Sequence, residues 1–269
     1  DIGVSRGLGD VYKRQLQNIP IRTESGKEIR KAFISRNKDY FLMAADYSQI
    51  ELRVIAALSK EDNMIRSFEK NEDIHLSTAA TVFNIPLKKV TKQQRSHAKI
   101  VNFGIIYGVS AFGLSNQTDL NIKESKKLIE TYYQKYPKLK QFIEKQIFFA
   151  RDKGYVETIL GRRRVLRDIN SSNSIIRSAA ERNAVNAPIQ GSAADIIKMS
   201  MINIQKEFFS KKIKSKMLLQ IHDELVFDVF KPELNQVMEI VRFQMENVFK
   251  LDVPLSVDIN YGENWLEAH

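Results

Sequence analysis

No cysteine occurs among the 269 residues, so neither a disulfide framework nor a thiolate metal site is available. Any metal must be held by oxygen or imidazole. No apolar run approaches the ~20 residues that span a bilayer, and the first residues lack the basic segment, apolar core and small-residue site of a secretory signal. A soluble, cytoplasmic protein without a membrane partner is therefore expected. A P-loop is missing too: the Gly26-Lys27 pair has Ile21 where the first glycine belongs and Glu28 where Ser or Thr would follow. The four histidines form no His-Glu-x-x-His, which removes the zinc-protease signature. Internal repeats and low-complexity tracts are also lacking.

What is present is a chain with 43% hydrophobic residues, long enough to bury a real core as one large domain or two moderate ones. Forty-two Lys and Arg stand against thirty-two Asp and Glu, a net charge of +10. That balance favours an anionic partner such as nucleic acid or a nucleoside triphosphate, although an ordinary basic enzyme can carry the same charge.

Residues 1–15 hold three glycines and little apolar periodicity, and read as a loose leader. Tyr40 to Ala45 reads as a buried strand ending at Asp46, followed by a helix from about Gln49 to Leu58. Helical periodicity then covers Glu61–Lys70, Ile74–Phe83, Lys92–Tyr107, Lys123–Tyr136 and Pro137–Lys153, with Thr91 as an N-cap. Gly154 to Leu166 reads as a hairpin turning at a glycine. A long helix is expected from Ser174 to Phe209, broken near Pro188 and Gly191. Lys216–Ile221 and Leu225–Phe230 form an apolar hairpin, followed by a helix from Pro232 to Phe249 and a strand from Leu255 to Asn260. Strands at both ends and helices between them predict an α+β fold with a helical insertion.

Within the central helix, Arg95, Lys99, Phe103 and Tyr107 recur every four residues. Such spacing puts two cations and then two aromatic rings along one stripe, which matches the phosphates and base of a nucleotide. Aromatics at this spacing are more often core, and exposed Arg and Lys more often only meet water.

Asp46 begins Asp-Tyr-Ser-Gln-Ile-Glu-Leu-Arg53, and Asp223 stands at the tip of the second hairpin in Ile221-His-Asp-Glu-Leu225. Carboxylates at the ends of neighbouring strands make a hard oxygen site for Mg²⁺, which needs only one or two of them when substrate phosphates supply the rest. A lone aspartate at a strand end is usually a turn residue. The adjacent Asp223-Glu224 is harder to explain that way, because the two acids repel unless a cation or partner offsets them. Metal-assisted phosphoryl transfer is the leading chemistry, with Arg95 and Lys99 neutralising a triphosphate. Arg162, Arg163 and Arg164 at a hairpin turn suit phosphate contacts or a solvated cluster, and Arg182, Asn186 and Gln190 share one helix face that suits groove contacts or plain surface polarity. His75 is either a phosphate contact or a satisfied helix histidine.

These motifs together resemble the family A DNA polymerases. Asp-Tyr-Ser-Gln-Ile-Glu-Leu-Arg at 46–53 is similar to the family's first palm motif, Arg95 to Gly108 to its fingers helix, and His222-Asp223-Glu224 to its last palm motif. Leu16-Gln-Asn-Ile-Pro20, Gly161-Arg-Arg-Arg164, Asn186 to Lys198 and Gly262 to His269 also match, so the resemblance covers essentially residues 16–269.

The resemblance implies a palm with an antiparallel sheet (16–58 and 171–269), helical fingers (59–170), an unmatched leader (1–15) and no thumb. It implies a monomeric, template-directed DNA polymerase of the bacterial cytoplasm and nucleoid, using two Mg²⁺ ions, deoxynucleoside triphosphates and primer-template DNA. Asp46 and Asp223 would be metal ligands with the backbone of Tyr47, and Glu224 would lie nearby. Arg95, Lys99 and His75 would hold the triphosphate, with Lys99 counted among the catalytic groups. Phe103 would pack on the sugar and base, and Tyr107 would guard the template position. Gln49 and Glu51 would line the nucleotide site, Glu51 excluding a ribose 2′-hydroxyl by bulk. Arg182, Asn186, Gln190, His222, Arg162 and Arg163 would contact DNA. Phe103 further implies discrimination against dideoxynucleotides. Residues 1–15 lack the family's Thr-Gly-Arg-Leu-Ser-Ser type segment, and Arg167 stands where proline is usual. A noncatalytic nucleotide- or DNA-binding fragment is the other reading.

Overall fold

The computed structural model describes residue 19 and residues 23–269. The expected leader, and Leu16 to Pro20 apart from Ile19, lie outside the described residues. In chain order the elements are α1 (Glu24–Lys31), β1 (Tyr40–Tyr47), α2 (Ile50–Ser59), α3 (Asp62–Glu69), α4 (Ile74–Phe83), α5 (Lys92–Ile106), α6 (Ala111–Ser115), α7 (Ile122–Lys135), α8 (Pro137–Lys153), β2 (Tyr155–Glu157), β3 (Arg163–Val165), α9 (Ser174–Ser210), β4 (Lys216–Ile221), β5 (Glu224–Phe230), α10 (Leu234–Asn247) and β6 (Val257–Gly262). They fall into two compact units. One gathers the residues up to Ser48 with Ile197–Val248 and Ser256–His269, and the other gathers Gln49–Ile196 with Phe249–Leu255.

The first unit is built on an antiparallel sheet in the order β4-β5-β1-β6. Alternation along β1 separates two faces. Leu42 and Ala44 join Ile221, Val226, Trp265 and Ala268 in one apolar cluster. Tyr47, 1% exposed, points to the other face, where its hydroxyl donates to the Met245 carbonyl of α10 at 2.6 Å and lies 2.8 Å from Ser200 Oγ. Each buried phenol of this kind needs such partners, because an unpaired hydroxyl in an apolar interior is costly.

The second unit is mainly helical. In α2, Leu52, Val54, Ile55 and Ala56 are fully buried, so apolar residues cover most of the helix circumference. Its Arg53 is buried as well, with NH1 donating to the Pro254 carbonyl at 2.5 Å and the guanidinium 4.5 Å over the Phe68 ring. α5 starts with a full capping box: the Thr91 side chain accepts from Gln94 N while the Gln94 side chain accepts from Thr91 N.

Three expectations from the sequence change. β1 continues through Asp46 to Tyr47, so Asp46 is a paired strand residue and not a residue beyond the strand. α9 runs unbroken through Pro188 and Gly191. A mid-helix proline costs ~3 kcal/mol, whereas burying Val185, Ile189 and Ile196 contributes roughly 1.5–3 kcal/mol each. Gly191 serves close packing instead, since a Cβ there would sit 2.5 Å from Thr158 Cγ2 on the β2–β3 hairpin. Finally, the three arginines are not all at a turn: Arg163 and Arg164 lie in β3.

Candidate functional site

The acidic residues are organised by strand register. Asp46 in β1 pairs with Glu224 in β5 and with Asp258 in β6. Residues directly opposite in an antiparallel ladder share a face, so three carboxylates form a row across the sheet. Asp223 adds a fourth from the two-residue turn between β4 and β5, where the Tyr47 N–H donates to its carbonyl at 3.2 Å. His222, the first turn residue, takes a left-handed φ of 54° and stays exposed.

Burial first, and then the charges of Asp223, Glu224 and Asp258, push the Asp46 carboxyl up to about 7, with His269 opposing. Asp223 is likewise raised, chiefly by burial. Glu224 is differently placed: Trp265 Nε1 donates to Oε1 at 3.0 Å, and His269 Nδ1 lies 2.7 Å from Oε2. Each of its oxygens thus has a protein partner, while Asp46 Oδ1 is buried with no hydrogen-bond partner. Among the described residues no group of three or more His, Asp or Glu side chains is disposed to hold a metal. The donor set still fits a hard divalent cation, because an orphaned carboxylate oxygen beside a second repelling carboxylate is what such an ion relieves.

In the helical unit, α5 buries His97, Ala98, Val101, Asn102, Ile105 and Ile106. Arg95, Lys99, Phe103 and Tyr107 are not among them: Lys99 is exposed and the others are half-buried. The stripe is therefore not the helix's core face. Asp73 caps α4 by accepting from His75 N and Leu76 N, and its other oxygen accepts from Arg95 Nε at 2.8 Å. Tyr107 donates its hydroxyl to Glu51 Oε2 at 2.8 Å and accepts from Gln190 Nε2 at 3.3 Å. Gln49, just before α2, has φ 55°.

His75 is only 3% exposed, with Nδ1 3.1 Å from Asn102 Nδ2 and its ring 5.7 Å from that of Phe103. Burial lowers its pKa to about 4, with Arg95 and Lys99 acting in the same direction and Asp73 against them. Arg182 packs against Gly108, whose added Cβ would meet Arg182 Cγ at 2.7 Å. Asn186 Oδ1 is buried without a partner. Arg162 donates to Asp195 Oδ1 at 3.0 Å and to the Gly191 carbonyl at 3.1 Å, and Arg163 pairs with Glu157 at 2.8 Å while lying over Tyr155.

Asp258, Trp265 and His269 were not marked as site residues by the sequence. Alternation within Val257-Asp-Ile-Asn260 would have put Asp258 on one face of a strand, but only the pairing with β1 brings it opposite Asp46. Asn102 lies on the buried side of α5, away from the four-residue stripe that the sequence spacing marks.

The DNA polymerase family A description matches residues 11–267, and the chain belongs to that family. It is 50% identical over 254 residues to DNA polymerase I of Streptococcus pneumoniae strain R6, covering 94% of this chain and 29% of that protein. DNA polymerase I of Lactococcus lactis strain IL1403 is 49% identical over 254 residues, 94% of this chain and 29% of that one. Among solved structures, the POL domain of Pol1 from M. smegmatis, in complex with DNA primer-template and dNTP, superposes with a TM-score of 0.90 at 44% identity, covering 94% of this chain and 45% of that chain. The chain thus spans about 29% of the length of these curated relatives.

Proposed function

We propose that this chain carries the nucleotidyl-transfer machinery of a template-directed DNA polymerase, with the sheet unit as its palm and the helical unit supplying its fingers. The observation that carries the reading is Asp46, a half-buried carboxylate whose Oδ1 is buried and unpaired and whose pKa is pushed up to about 7 beside Asp223. Asp46, Asp223 and the backbone carbonyl of Tyr47 would hold two Mg²⁺ ions. When bound, magnesium supplies the positive charge that favours an ionised primer 3′-hydroxyl and a departing pyrophosphate.

Arg95 and Lys99 would bind the triphosphate, each offsetting charge that builds as the bond between the α-phosphorus and its bridging oxygen breaks. The primer oxygen forms the new bond to the α-phosphorus, its proton leaves, and pyrophosphate is released. Phe103 would pack on the incoming sugar and base. Glu51, held by Tyr107, would present bulk where a ribose 2′-hydroxyl would otherwise fit. Arg182, Asn186, Gln190, His222, Arg162 and Arg163 are proposed DNA contacts, and the unpaired Asn186 Oδ1 supports that role for one of them.

Primer extension with the chain and its Asp223→Ala variant tests the reading. Mg²⁺-dependent extension that disappears in the variant supports a polymerase. No extension, with nucleotide binding retained, supports a noncatalytic binding fragment instead.

A further inference from the structure

We propose that Asn102 is a positioning residue that fixes His75 as the neutral imidazole protonated on Nε2, so that the ring offers a hydrogen-bond donor to the polyphosphate of an incoming nucleotide. The inference rests on the nucleotide-binding role proposed above for Arg95 and Lys99.

A chain of buried hydrogen bonds starts at Tyr132, whose ring is 1% exposed and whose pKa burial raises well above the ordinary tyrosine value. A phenol has one hydrogen, and in an apolar interior that hydrogen needs an acceptor. Tyr132 donates it to Asn102 Oδ1 at 2.9 Å. The Thr78 hydroxyl also reaches Asn102 Oδ1, at 3.2 Å, while the Tyr136 hydroxyl donates to Thr78 Oγ1 at 3.3 Å. The Tyr132 hydrogen identifies Oδ1 as the acceptor, and the amide NH₂ gives one hydrogen to Thr78 Oγ1 at 3.1 Å and has a second to offer. The amide nitrogen faces His75 Nδ1 at 3.1 Å. A donor at Nδ1 requires a lone pair there, so the proton of the neutral ring resides on Nε2.

Of the charged groups around the ring, only Asp73 favours the imidazolium, and burial together with Arg95 and Lys99 outweighs it. Asp73 at the start of α4 is already engaged by two backbone N–H groups and by Arg95. Arg95 and Lys99 on α5 both disfavour an imidazolium, as does burial. Tyr132 and Tyr136, the phenols behind the amide, are raised by burial and stay protonated. Among the described residues no protein group is bonded to Nε2. The outcome is an uncharged donor beside two cations, one that needs no proton uptake to meet a phosphate. With the opposite tautomer, a ring lone pair would meet phosphate oxygens and repel them.

Nitrogen-15 spectra of the histidine-labelled chain test the tautomer directly. His75 is expected to show a pyridine-type Nδ1 and a pyrrole-type Nε2, and the reverse pattern or an equal mixture overturns the proposal. Asn102→Asp replaces the donor with an acceptor, so Nδ1 should become pyrrole-type and Nε2 should lose its proton in the neutral ring. Binding of dTTP should then weaken about tenfold near pH 8.5, where the ring is neutral, and recover as pH falls and the ring takes up a proton. In a His75→Ala background, Asn102→Asp should change dTTP affinity by less than about twofold. A further loss there would mean that Asn102 acts through folding and not through His75, which overturns the proposal. If dTTP binding is indifferent to Arg95→Ala, the nucleotide reading fails and takes this inference with it. If binding depends on Arg95 while Asn102→Asp matches the wild type at high pH, this inference alone fails.

Discussion

Asp46 lies directly across the ladder from Glu224, yet the two carboxylates meet opposite conditions: Glu224 is held by Trp265 and His269, while Asp46 keeps an unpaired oxygen. One acid is fixed by the protein and the other is left for something the protein does not supply.

Trp265→Phe keeps much of the ring but removes the donor to Glu224 Oε1. A buried acceptor left unpaired costs ~1–3 kcal/mol, so the urea midpoint should fall by an equivalent amount. An unchanged midpoint would show that the Trp265 bond contributes nothing to holding Glu224.

His75 gives a pH signature with a defined sign. Its pKa is lowered to about 4 in the folded chain from an ordinary 6.5, so the unfolded chain binds more protons between these values. The stability it contributes is complete above pH 6.5 and is lost as pH falls toward 4, reaching about 2 kcal/mol at pH 5. Urea titrations at pH 7 and pH 5 should show that loss in the wild type and a smaller one in His75→Gln. Equal losses would assign the pH dependence to other groups.

Much of this was legible from local pattern. The apolar run from Tyr40 and the hairpin around Asp223 became neighbouring strands, and Thr91 caps α5 as its position in the sequence implied. The misses depend on pairing between distant segments. Asp258 has no meaning until β6 registers on β1, and Trp265 and His269 have none until the closing segment covers Glu224. Pro188 looked like a helix end because the residues that outweigh it are buried by tertiary packing that the local sequence does not show. α1 has no continuous apolar stripe to announce it, because its support is local and polar, from the Thr23 cap and the Lys27–Glu24 and Lys31–Glu28 pairs.

Gly191 provides a packing test. Gly191→Ala places a methyl against Thr158 Cγ2, on a side chain pinned by its 2.6 Å bond to Asp195, and should destabilise the chain by ~1–3 kcal/mol. Thr158→Ser deletes the clashing methyl and keeps the hydroxyl, so the double variant should recover most of that loss. A double-mutant cycle with no coupling would contradict the close approach.

Glu51 and Phe103 make predictions about substrate choice. Glu51→Ala, which also removes the acceptor for the Tyr107 hydroxyl, should raise ribonucleotide incorporation about tenfold or more relative to deoxynucleotides. Phe103→Tyr should likewise raise the use of dideoxynucleotides, which the wild type should disfavour. Single-nucleotide insertion with matched substrates measures both, and equal wild-type use of dideoxy and deoxy substrates would remove the role assigned to Phe103.

The most direct test of the central claim is single-nucleotide extension of a primer against each of the four template bases in Mg²⁺, with Asp46→Asn run in parallel. Extension is expected only with the complementary deoxynucleotide, and is abolished in the variant. Extension that ignores the template base, or that persists without the Asp46 carboxylate, would contradict it.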